Sequence, residues 1–192
     1  TVHLADGHWR AGPLPGTGLA KRSGLQGPID DALMDSFIFV APSGRDSSEL
    51  VNKWVDTEME RAIVHWRRHF RGHARVKKDT EITPEDIATA NLVLWGTPQM
   101  NSLLGKVAVD LPIGWDSKQI RVGEHTYLAD SHALVGVYPN PLNPDRYVVF
   151  NSSFTFRDYA YLNNARQVPM LPDWAVIDLG TPAGSQYPGK VV

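Results

Sequence analysis

Residues 91–109, NLVLWGTPQMNSLLGKVAV, constrain this chain most strongly. The run NLVLW is continuously apolar after its first residue and is closed by Gly96, Thr97 and Pro98. A short apolar run bounded by turn residues suits a strand covered on both faces, as in a parallel sheet. Gly96 permits a turn that a β-carbon would hinder, and Pro98 suits a first helical turn, where its missing N–H costs nothing. Leu103, Leu104 and Val107 then recur at helical spacing. The stretch reads as one strand–turn–helix unit of an α/β layer fold.

The same signals recur on both sides of it. Residues 35–41, DSFIFVA, form a strand, and Ser47 and Ser48 offer N-caps for a helix from Glu49 to about Arg71. Leu50, Val51, Trp54, Val55, Met59, Ala62, Ile63, Trp66 and Phe70 give that helix a broad apolar stripe, with Gly72 as its stop. Residues 74–78 read as a charged edge strand, and Thr83 with Pro84 opens a short helix. Strands follow at 119–122 and 125–128, joined by a primed turn at Gly123 and Glu124, then at 132–138, 146–150 and 173–179. Pro139, Pro141 and Pro144 mark a loop, and a helix is expected to run to about Asn164. The alternation in the first half predicts a doubly wound, mostly parallel sheet in three layers, Rossmann- or flavodoxin-like, with the 119–128 hairpin as an elaboration. Residues 1–34, rich in Gly and Pro, read as an extended arm that Trp9 could anchor; 35–180 read as the α/β domain and 181–192 as a tail.

Composition excludes several functions. A net charge of −2, from 19 basic and 21 acidic residues, gives no electrostatic case for nucleic acid. No apolar run reaches the roughly 18 residues of a membrane span. With no cysteine there is no disulfide framework, thiolate nucleophile or Cys-ligated zinc. No G-x-S-x-G elbow, phosphate loop or dinucleotide fingerprint is present, and no cofactor is called for. His65 and His69 lie four apart and could share a metal, but without an HExxH pattern they read as a basic face complementing the helix dipole. Asp30, Asp31 and Asp35 cluster without the spacing of a cation loop.

In an open parallel sheet, ligands bind beyond the carboxyl ends of the strands. Those ends offer Ser43 and Gly44; Gly96, Thr97, Asn101 and Ser102; and Asn151 and Ser152. Each group precedes an expected helix N-terminus, so it is either a candidate ligand cleft or a set of helix caps. No catalytic residue is assigned.

Residues 24–40, 66–79, 90–101, 138–159 and 161–179 together resemble the C-terminal region of large bacterial proteins of the prolyl oligopeptidase family, α/β-hydrolase-like and frequent in planctomycete-type bacteria. The resemblance covers about residues 9–192. It implies a noncatalytic accessory domain of an exported serine hydrolase, whose nucleophile, acid and histidine belong to a preceding domain. The partner is then that hydrolase domain, the substrate a peptide, ester or carbohydrate, and the location periplasmic or extracellular. Any signal peptide is expected to be gone already, and the arm and tail to be domain junctions. The alternative is a small stand-alone hydrolase or ligand-binding module using the strand-end cleft.

Overall fold

The computed structural model describes residues 2–12 and 19–192. Part of the expected arm, residues 13–18, lies outside the described residues. The chain opens with a hairpin, β1 (Val2–Ala5) and β2 (His8–Ala11). Asp6 and Gly7 both take positive φ between them, the primed turn that an Asp-Gly pair favours. Leu25, Ile29, Ala32 and Leu33 are buried in the main core, the last three within a 3-10 turn at Ile29–Leu33. Trp9, which could have anchored the arm on the core, is instead 74% exposed.

The central sheet is built from β3 (Phe37–Ala41), β4 (Val76–Lys78), β5 (Asn91–Leu94), β9 (His132–Asn140), β10 (Asn143–Phe150), β11 (Trp174–Asp178) and β12 (Lys190–Val191), in the spatial order β12-β11-β9-β10-β5-β3-β4. A second sheet joins β6 (Gly114–Trp115), β7 (Gln119–Val122) and β8 (His125–Leu128). Among the described residues the α-helices are α1 (Glu49–Phe70), α2 (Pro84–Thr89) and α3 (Ser102–Ala108).

This corrects the expected doubly wound, mostly parallel sheet. The pairings β10–β5, β5–β3 and β3–β4 are parallel, whereas β9–β10, β9–β11 and β11–β12 are antiparallel. Half the sheet is therefore antiparallel, and three helices are too few to wind both faces of seven strands. The cause lies at residues 139–144, which form the end of a hairpin and not the expected loop. Pro139 and Pro144 sit inside strands there because β11 reaches β9 only as far as Gly136, and β5 meets β10 only from Val148. Where the ladder is two strands wide, each strand has a free edge that tolerates proline.

Alternation along the strands divides the core in two. Phe37, Phe39, Val93, Val135, Val137, Val149 and Ile177 face α1, the Ile29–Leu33 turn and the β10–β11 connection. Ile38, Val40, Leu92, Leu94, Leu134, Val148 and Phe150 face α3, the partly buried Ile87 of α2 and the small sheet. Both faces are covered, which is why these strands read as unbroken apolar runs.

Local chemistry explains the boundaries. Ser48 caps α1 by accepting the Val51 N–H at 3.3 Å. Its end falls one residue before the expected glycine: Arg71 takes the left-handed conformation, at φ +59°. Thr83 and Asp86 form a reciprocal capping box on α2. Lys77 donates to the Asp86 carboxylate and, with the Thr83 N–H, holds its pKa at about 2. The helix expected to reach Asn164 is replaced by two 3-10 turns, Asp158–Leu162 and Asn164–Arg166.

Candidate functional site

Parallel pairing of β3, β5 and β10 puts their carboxyl ends side by side, so the strand-end residues do converge. Most of their polar atoms are engaged within the fold. Asn151, 3% exposed, accepts the Gly96 N–H at 2.7 Å and donates to the carbonyls of Gly96 (2.9 Å) and Leu134 (3.1 Å). Asn101, fully buried, accepts the N–H groups of Leu103 and Leu104 and donates to the carbonyls of Val40 and Trp95. It is the N-cap of α3, which therefore starts at Ser102, four residues beyond Pro98. The Thr97 hydroxyl donates to Asp46 at 2.9 Å. Ser102 donates through both its backbone N–H and its hydroxyl to one oxygen of Asp79, each at 2.6 Å. Burial would raise the Asp79 carboxyl, but hydrogen bonding from Ser102, aided by the nearby Ser43, outweighs it and holds it below its ordinary range.

The two glycines serve close backbone packing. Gly44 donates its N–H to the Met100 carbonyl at 2.8 Å, and a β-carbon on Gly44 would stand 3.0 Å from that oxygen. Gly96 has φ +106°, a conformation L side chains rarely adopt. Ser152 is buried and its hydroxyl donates to the Ser153 carbonyl.

A nucleophilic hydroxyl needs a base within reach. Ser131 lies 3.2 Å from His132 Nδ1, but that nitrogen also sits 3.0 Å from the Leu128 carbonyl. Because a carbonyl can only accept, this contact assigns the proton to Nδ1, which then cannot take one from Ser131.

Beside these strand ends, between α1 and residues 151–157, lies a cleft of about 340 Å³ including its mouth. Glu58 and Arg61 of α1, Trp95, Ser152, Ser153 and Arg157 line it. Arg157 grips Glu58 bidentately at 2.6 and 3.1 Å and donates through Nε to the Gly184 carbonyl. Both partners are under a tenth exposed, and a pair so buried is strongly destabilised when one member is removed. The loop is fastened further by Asp30, which accepts the N–H and the hydroxyl of Thr155 at 3.1 and 2.7 Å. Burial nevertheless raises the Asp30 pKa.

The other sequence candidates disperse. Asp31 accepts the Tyr147 hydroxyl and Asp35 pairs with Arg146, so the acidic triplet does not assemble. Among the described residues no three His, Cys, Asp or Glu side chains are grouped to hold a metal. His65 is 3% exposed, against the expected solvated basic face, and packs with His69, Phe156 and Tyr161. Burial, with the nearby His69 and Arg61, lowers its pKa to about 3. Arg61, Arg68 and Arg71 lie close to His69 as well, a field that opposes a cation at the pair.

Sequence reasoning missed the pairing of Glu58 with Arg157, the hold of Asp30 on Thr155 and the burial of His65. The available signal was positional. Glu58 and His65 lie three or four residues from Trp54, Val55 and Ala62, inside the buried arc of α1. Comparison with protein-family models, curated proteins and solved structures finds no match for this chain.

Proposed function

We propose that this chain is a noncatalytic module that docks onto a serine hydrolase domain and helps hold or present its substrate. The hydrolase character of the partner, and an exported location, rest on the sequence resemblance. The docking role is supported by the β1–β2 hairpin. Every residue of β2 is exposed, and Trp9 presents most of its indole to solvent. An isolated two-stranded hairpin is marginal in water, and a large exposed aromatic is the side chain best suited to anchor an interface. A second apolar feature, a groove of about 610 Å³, runs between Leu50 and Trp54 of α1 and Leu179 and Pro182. The noncatalytic role is supported by the strand ends, where the amides of Asn101 and Asn151 and the hydroxyls of Thr97 and Ser102 are engaged in holding the fold.

The test is association between this chain and the hydrolase domain expected in the same reading frame, each expressed separately and titrated by calorimetry. Binding is expected, weakened at least about tenfold by Trp9→Ala, the usual scale for an aromatic anchor. A reading frame encoding no serine hydrolase, or binding indifferent to Trp9→Ala, overturns the reading.

A further inference from the structure

We propose that residues 158–169 form a strap over His65 and His69 that mild acid releases from α1. This goes beyond the docking role and does not depend on it. The strap runs between two fixed points. Before it, Arg157 is locked to Glu58. After it, the Met170 N–H donates to the Thr155 hydroxyl at 2.7 Å and Leu171 is buried. Between these points only Ala160 is buried. The two 3-10 turns of the strap bond within it: Arg166 donates its N–H to the Asn163 carbonyl, Gln167 to that of Asn164, and the Arg166 guanidinium lies over the Tyr159 ring. Its hold on the body of the protein comes from the Tyr159 N–H on the Ser185 carbonyl at 3.0 Å, Asp158 on Arg61 at 3.3 Å, and Tyr161 beneath the Arg68 guanidinium. A segment with so little buried apolar surface opens locally at less cost than the whole fold.

What the strap covers makes that opening sensitive to protons. The Tyr161 ring centre stands 5.2 Å from that of His65 and 4.7 Å from that of His69. Nε2 of each histidine is buried with no hydrogen-bond partner among the described residues. The charges around the pair are mostly positive. From α1 come Arg61, Arg68 and Arg71; from the chain after β10 come Arg157 and Asp158, with Glu58 committed to Arg157. Tyr161 stays neutral, since burial raises its pKa. A proton on either imidazole would add a dry cation to this basic group, so the closed strap excludes it. His65 is held down to about 3 by burial, with His69 and Arg61 adding to the effect, and returns toward the ordinary 6.5 when uncovered. The open form then binds a proton that the closed form does not, and opening gains as pH falls below about 6.5 and down to about 3. His65 alone multiplies the opening constant about 25-fold between pH 7 and pH 5. His69, lowered in the same direction by burial, Arg68 and Arg61, adds to that. Carboxylates and guanidiniums ordinarily titrate outside this window.

Amide hydrogen exchange of the intact chain at pH 7 and pH 5, corrected for the intrinsic rate at each pH, tests this. The reporters are the N–H groups of Tyr159 and Ala160, bonded to the carbonyls of Ser185 and Arg157; the core control is that of Trp95, bonded to the Val40 carbonyl. Tyr159 and Ala160 are expected to be less protected than Trp95 at both pH values, and to lose at least about tenfold in protection from pH 7 to pH 5. In the double variant His65→Leu, His69→Leu that loss is expected to shrink below about threefold, because leucine fills the space and takes no proton. The parent comparison stands by itself if the double variant does not fold. Protection at Tyr159 and Ala160 equal to that of Trp95, a smaller loss in the parent, or a folded double variant that keeps the parent's loss overturns the proposal.

Discussion

Asn151 adopts φ +47° and uses both ends of its amide on main-chain groups that follow β5 and lie in β9. A side chain arranged in this way closes a gap between strands and leaves little to offer a ligand. Replacing it with alanine strands the Gly96 N–H and two carbonyls and puts an ordinary L residue in the left-handed region. Asn151→Ala is expected to cost about 3–5 kcal/mol in urea unfolding, and Asn151→Gly about 1 kcal/mol less, since glycine removes the backbone penalty but not the lost bonds. Ser152→Ala, which removes one 3.3 Å hydrogen bond, is expected to stay within about 1 kcal/mol of the parent. Equal stability of Asn151→Ala and the parent would remove the structural reading of this residue. The sequence shows which residues stand at the strand ends, because Asn, Ser and Thr after an apolar run are visible without coordinates. It does not show where their atoms point. Asn101 was legible as a candidate, but its role as α3's cap depends on the Thr97–Met100 turn, which delays the helix by four residues.

At the scale of elements, α1 is the helix that sequence describes best and whose buried face it describes least well. Its length and Ser48 cap follow from apolar periodicity and a serine before it. The periodicity also predicts Leu50 and Phe70 inside, yet they are 42% and 43% exposed, while Glu58 and His65 are buried. Glu58 is accommodated by Arg157, 99 residues away in sequence, and no local pattern announces that pairing. His65 is accommodated by staying neutral. Its folded pKa, about 3, lies below the ordinary 6.5. The unfolded chain therefore binds a proton in that interval and the folded chain does not. This contribution to stability is complete above about pH 6.5 and is lost as pH falls toward 3, with a slope of at most about 1.4 kcal/mol per pH unit. Chemical unfolding at several pH values between 7 and 4 should show a shallower decline for His65→Leu than for the parent. Parallel declines would mean that His65 does not carry the effect.

For the whole molecule, the strands were legible and their order was not. Each buried strand reads as an apolar run because both sheet faces are covered, a property the runs themselves display. Their sequence order is silent on whether β9 and β10 are joined by a crossover or a hairpin, and the prolines at 139, 141 and 144 argue for the wrong choice unless the local ladder is known to be two strands wide. The same limit applies to the site. Sequence names the rim of the β3, β5 and β10 ends, but the adjoining cleft needs α1, β5 and the loop after β10 brought together by the fold.

The central claim is that this rim holds the fold and performs no hydrolysis. The direct measurement is turnover of aryl ester, peptide anilide and aryl glycoside substrates by the purified chain, alongside Ser152→Ala and Ser153→Ala. The account predicts rates equal to buffer for all three proteins. Saturable turnover by the parent chain that disappears in either serine variant, with unchanged unfolding curves, would contradict it.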